Sequence, residues 1–207
     1  MTMEILKLGK NNLSGEQSEC WTKWPFLTVI ILDNNTFSGG IPSSIGTLKY
    51  LCSLHLHKNS LSGGIPISLR NCTELQILDL SENKLHGNIP PWIGISLTKL
   101  IILSLRSNKF WGHISKELCA LSSLQILDFA HNNLSGSIPR CIGNLSAMVM
   151  DYHSMYIFES EFPFNYVGFI NSLIKVIADR RTHFLEDVFV VKKGQVLDYS
   201  KPFTWSK

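Results

Sequence analysis

Apolar residues recur on a fixed spacing through the first 148 residues of this chain. In Leu54-His55-Leu56-His57-Lys58-Asn59-Ser60-Leu61-Ser62-Gly63, apolar and polar positions alternate toward the asparagine, and a leucine returns two places beyond it. The frame L-x-L-x-x-N-x-L/F-x-G is met at Asn11, Asn35, Asn59, Asn83, Asn108 and Asn132, at intervals of 24, 24, 24, 25 and 24 residues. Five places earlier stand Leu6, Ile30, Leu54, Leu78, Leu103 and Leu127, and three places earlier Leu8, Leu32, Leu56, Leu80, Leu105 and Phe129. Two places later come Leu13, Phe37, Leu61, Leu85, Phe110 and Leu134, each followed two residues on by Gly15, Gly39, Gly63, Gly87, Gly112 or Gly136.

Alternation with a period of two predicts a short strand, leucines turned inward and the intervening residues outward. No single coil can bury its own leucines, so the coils must stack, with strands aligned in a parallel sheet at a spacing of ~4.8 Å. The asparagine closes each strand. Its amide can donate and accept, and so can serve backbone groups left unpaired where the chain turns. The glycine admits a conformation that a Cβ would obstruct. A period in the twenties with this spacing is a leucine-rich repeat. The expected fold is an α/β right-handed solenoid with a concave parallel sheet and about six repeats of 24 residues.

The phrases LSGGIP, LHGNIP and LSGSIP resemble the plant-type extracellular leucine-rich repeat. SLRNCTELQILDL, LRSNKFWGHI, ELCALSSLQILDFAHNNLSGSIPRC and NLSAM resemble, more narrowly, plant receptor-like proteins of the immune and fungal-elicitor receptor type. DVFVVKKGQVLDYSK, residues 187–201, resembles the Lys-Gly…Tyr segment that family carries just before its last repeats, and this resemblance implies that the chain is a C-terminal part of an extracellular repeat domain. The resemblance implies a single membrane span and a short cytoplasmic tail beyond Lys207. It also implies residence on the outer side of the plasma membrane, and defence signalling through a partner or co-receptor kinase. Two departures stand out: Gln17-Ser18 and Ile114-Ser115 replace the expected Ile-Pro. The alternatives are the ectodomain of a leucine-rich-repeat receptor kinase and a secreted inhibitor of the polygalacturonase-inhibitor type, which lacks a long aromatic island.

That island divides the chain. Residues 1–148 form the solenoid. Residues 149–186 carry Tyr152, Tyr156, Phe158, Phe162, Phe164, Tyr166 and Phe169, as a loop-out near a ligand or co-receptor or as packing over the last coil. Residues 187–207 hold two valine-rich runs around Lys193-Gly194, a short hairpin leading toward a further repeat.

The outward strand positions are the natural reading surface. Asp33, His55, His57, Asp79, Arg106 and Asp128 lie there, with Lys58 and His131 just before their asparagines. A mixed polar wall suits a protein or peptide ligand, or a glycan. His55 and His57 between Asp33 and Asp79 have the chemistry of metal ligands, but nothing fixes their geometry, so no metal is expected. No nucleophile elbow, phosphate loop or HExxH stands in the chain, so neither a catalytic role nor a cofactor is expected. The net charge is +3 with no basic run, which disfavours nucleic acid as a partner. The first residues have no apolar leader segment, and the most apolar window, Phe169 to Ala178, is too short to span a bilayer.

Sequons occur at Asn12, Asn34, Asn71, Asn133 and Asn144, as expected of a secreted glycoprotein. Asn71 and Asn144 fall on the convex side, whereas Asn12, Asn34 and Asn133 adjoin the concave edge. Of the five cysteines, Cys119 and Cys141 lie in adjacent coils, placed either for a disulfide or as buried thiols.

Overall fold

The computed structural model describes residues 3–149, 190–192 and 195–197. The chain divides into two units, 1–148 and 149–207.

In the first unit, strands β1 (Ile5–Lys7), β3 (Val29–Ile31), β5 (Ser53–His55), β6 (Ile77–Asp79), β8 (Ile102–Ser104) and β10 (Ile126–Asp128) pair in parallel as one six-stranded sheet. Their register is strict: Leu6, Ile30, Leu54, Leu78, Leu103 and Leu127 stand opposite one another in successive strands. Behind them the leucines and Phe110 form one continuous core. The first coil is less well covered, with Leu8 and Leu13 about two-fifths exposed (41% and 39%).

A hydrogen-bond ladder explains the invariant frame. Asn83 Nδ2 donates to Leu80 O (3.1 Å) and Ser81 O (3.0 Å) of its own coil and to Leu56 O (2.9 Å) of the coil before. Its Oδ1 accepts the Leu61 N–H at 3.0 Å. Asn35, Asn59, Asn108 and Asn132 repeat this arrangement. Asn11 bonds to Leu8 O and Gly9 O within its own coil.

Each coil turns at two left-handed residues. One is the expected glycine, with φ from 73° to 103°; the other is the residue before the asparagine, with φ from 50° to 58° at Lys10, Asn34, Lys58, Glu82, Ser107 and His131. Beyond the turn the chain runs into a second, lateral set of strands. β2 (Ser14–Glu16) pairs with β4 (Thr36–Ser38), and β9 (Lys109–His113) lies between β7 (His86–Asn88) and β11 (Asn133–Ser135).

The convex side returns through 3₁₀ turns at Ser43–Thr47, Ile67–Asn71, Lys116–Ala120 and Arg140–Asn144. The one coil of 25 residues uses a short α-helix instead, α1 (Trp92–Ser96). There the Leu97 N–H reaches Ile93 O, one residue further back than the Leu48 N–H to Ile45 O bond of a 24-residue coil, so the extra residue is taken up in the helical turn. The Ile114-Ser115 departure is equally local. Ser115 adopts φ −74° and ψ 140°, the extended conformation that Pro42 and Pro66 hold in their coils. Cys119 and Cys141 are joined by a disulfide across the last two convex turns, with Cα atoms 5.7 Å apart. Cys20, Cys52 and Cys72 carry no disulfide.

In the second unit, β12 (Val190–Lys192) and β13 (Gln195–Leu197) pair antiparallel on either side of Lys193-Gly194. The aromatic island of residues 150–186 lies outside the described residues.

Candidate ligand-binding wall

The concave sheet presents three parallel rows, because in-register neighbours share a face. The middle row is Lys7, Ile31, His55, Asp79, Ser104 and Asp128. The row two residues further along is Gly9, Asp33, His57, Ser81, Arg106 and Ala130. The remaining row, two residues earlier, is Ile5, Val29, Ser53, Ile77, Ile102 and Ile126, apolar but for Ser53. Val29, Ile77 and Ile102 are buried yet stand apart from the leucine core. The sequence reading missed this row by starting each strand at its first leucine. Carrying the alternation back one step, to six residues before each asparagine, reaches it.

The wall is polar but not simply solvated: Asp33, Ser53, His55, His57, Ser81, Ser104 and Asp128 are all buried within the folded chain. Four of the sequence-selected residues belong to one cluster. His57 lies between two carboxylates, with Nε2 3.7 Å from Asp33 Oδ2 and Nδ1 3.5 Å from Asp79 Oδ2. Asn34 Nδ2 donates to Asp33 Oδ2 at 2.7 Å and lies 3.0 Å from His57 Nε2. His55 Nε2 pairs with Ser53 Oγ at 2.7 Å. Burial holds the His55 ring below its ordinary 6.5, outweighing the upward pull of Asp79.

Arg106 and Asp128 form a second group, with Nη1 and Oδ2 3.9 Å apart, an ion pair too long for a hydrogen bond. Asp128 Oδ1 accepts the Ala130 N–H at 3.0 Å, while its Oδ2 is buried and accepts none. Burial raises the Asp128 carboxyl above its ordinary 3.8 against the opposing effects of the Ala130 N–H and Arg106. Lys58 and His131 are exposed in the left-handed turns before Asn59 and Asn132, and His131 is near enough to Asp128 to oppose the rise of its carboxyl. Among the described residues no three His, Cys, Asp or Glu side chains converge as a metal site. Nor is any helix among them long and apolar enough to cross a membrane.

The sequons fall in different settings. Asn71 and Asn144 are exposed at the ends of convex turns. Asn12 is exposed beside Asn11, and Asn34 belongs to the His57 cluster. Asn133 is not at the concave edge, where the sequence reading put it. It lies within β11, on the lateral sheet, because the turn at His131 has already carried the chain off the wall.

Leucine-rich-repeat family models match residues 25–85 and 123–145. No curated protein matches the chain. Several solved structures do. One is the leucine-rich-repeat ectodomain of the Arabidopsis thaliana membrane receptor kinase GASSHO1/SCHENGEN3 in complex with CASPARIAN STRIP INTEGRITY FACTOR 2. It is 35% identical with a TM-score of 0.69, over 70% of this chain and 17% of that one. A second is the Arabidopsis receptor kinase HAESA in complex with the peptide hormone IDA and the co-receptor SERK1. The match is 34% identical with a TM-score of 0.68, over 72% of this chain and 25% of that one. The ectodomain of the Arabidopsis thaliana receptor kinase SOBIR1 is 34% identical with a TM-score of 0.60, over 63% of this chain and 72% of that one. The chain thus spans a quarter or less of the two longer solenoids and most of the shorter one. It belongs to the leucine-rich-repeat family, among the plant receptor ectodomains.

Proposed function

We propose that this chain is part of the extracellular ligand-recognition domain of a plant cell-surface receptor, and that an extended peptide or protein segment lies along its concave wall. The observation that carries this reading is the layering of the wall, an apolar row running beside rows that hold the Asp33–His57–Asp79 and Arg106–Asp128 groups. An extended segment places alternate side chains on one side, so apolar and charged groups can be read at once. Peptide complexes among the similar ectodomains support it. The role is binding, not catalysis.

Within that class the phrases of the repeat favour a receptor-like protein, a glycoprotein of the plasma membrane that signals in defence through a partner kinase. The co-receptor bound to HAESA supports a kinase partner. A second reading, the ectodomain of a receptor kinase, is favoured by the similar structures, which come from receptor kinases.

Reading the transcript beyond both ends separates these. A leader and further coils upstream, with one membrane span and a short tail downstream, are expected. A kinase domain downstream would replace the first reading by the second. A stop after Lys207 with no coils upstream would overturn both. In the full-length protein, replacing His57 and Asp128 together is expected to abolish the ligand response without lowering surface abundance, and an unchanged response would remove the wall from recognition.

A further inference from the structure

We propose that Asn133 carries an N-linked glycan and that Trp111 is the platform on which its first sugar lies. The inference rests on the extracellular reading above. Asn133-Leu134-Ser135 is a sequon, and it forms strand β11. In the lateral sheet Trp111 stands directly opposite Asn133 on one side and Asn88 on the other. In-register partners of parallel strands share a face at a separation of ~4.8 Å, so the three side chains form one row. All three are exposed, Trp111 by 51%.

The solenoid does not require a tryptophan at this place. Three residues after the asparagine, the other coils carry Ser14, Ser38, Ser62, His86 and Ser135. A large ring held in solvent on a polar face asks for a partner with one apolar side and one polar side. A pyranose offers both. Its C–H face covers the indole, while its hydroxyls and acetamide meet Asn88 and His113, on the same exposed face. Asn34 shows the contrast: its amide is bound to Asp33 and His57, and a sugar there would displace both contacts.

Attachment follows ordinary chemistry. The Asn133 amide nitrogen bonds to C1 of the first N-acetylglucosamine of a lipid-diphosphate oligosaccharide. The C1–O bond to the diphosphate breaks, and the amide proton goes to the departing lipid diphosphate. The donor and the enzyme belong to the secretory route.

The test uses the full-length protein from its own transcript, purified from plant cells, with glycopeptide mapping at every sequon. Occupied Asn133 is expected. Occupancy at Asn71 or Asn144 with Asn133 bare would overturn this inference and leave the extracellular reading standing. All five sequons bare would overturn both. The platform is read by hydroxyl-radical footprinting of Trp111 in the native protein and in Ser135→Ala, which keeps Asn133 but destroys the sequon. Oxidation of Trp111 is expected to rise severalfold in the variant. Equal oxidation would overturn the platform.

Discussion

The concave sheet and the lateral sheet are built from the same coils but under different constraints. The concave sheet runs unbroken through six strands, because inward leucines and the asparagine ladder fix each strand against its neighbours. The lateral strands form two separate groups, with the coil of Ser62, Gly63 and Gly64 between them contributing backbone bonds but no strand. There the chain must supply an inward Leu or Phe such as Phe110, backbone pairing and a glycine, but nothing is required of the outward residues, which vary from serine to histidine to tryptophan. Side chains that the repeat does not dictate are where this molecule can differ from its relatives. Both its outward faces carry such residues, and the core carries almost none.

The sharpest way to break the comparison is at the ladder. Asn83→Ala leaves the Leu61 N–H without its acceptor and takes one of two amide donors from each of the Leu56 and Leu80 carbonyls, which keep Asn59 and Asn108, and is expected to lower stability by about 3 kcal/mol. Asn11→Ala removes bonds within one exposed coil and is expected to lower it by less than about 1 kcal/mol. Denaturant unfolding compares the two, and equal losses would mean that the contacts between coils do not carry the effect.

A smaller effect comes from the wall's buried groups. The His55 value is depressed, so its contribution is present above the ordinary 6.5 and is lost as pH falls through the folded value. Asp128 has the opposite sign. Its value is raised, so its contribution is full below the ordinary 3.8 and is lost as pH rises through the folded value. On going from about pH 7 to about pH 5 the histidine contribution is the one that falls, so the coils are expected to melt at a lower temperature at the acid end, and His55→Gln is expected to flatten that fall. A pH-independent melt in the native chain would contradict the burial of His55.

The smallest effect is expected on the lateral sheet. His86→Ala removes an exposed side chain whose backbone N–H is already bonded to Gly63 O, and the change should stay within about 0.5 kcal/mol. Gly64→Ala should be equally mild, because an added Cβ would meet nothing nearer than His86 O at 3.6 Å. A large loss in either would show that the lateral face is as constrained as the wall.

Much of this architecture was legible in the sequence, because the leucine rows and the glycines each have a residue type that the physics requires. The six positive-φ glycines are the ones that the repeat frame marks. The residue before each asparagine was not legible. Lys10, Asn34, Lys58, Glu82, Ser107 and His131 share a left-handed backbone but no chemistry, since neighbouring backbone bonds impose the turn, as the Asn34 N–H to His57 O bond does. The apolar concave row escaped notice because it lies outside the leucine core. The facing of Trp111 and Asn133 escaped it too. They are 22 residues apart, two short of the repeat, and only the offset of the lateral strands brings them level.

The asparagine ladder also has a direction. From Asn35 onward each amide reaches toward the coil already made, never toward the one to come. On a ribosome, which releases the N-terminus first, every new asparagine therefore emerges with its carbonyl partners in place. Growth of the solenoid becomes a ratchet of short steps, each closing a loop of about one repeat, and the order of synthesis matches the order of assembly.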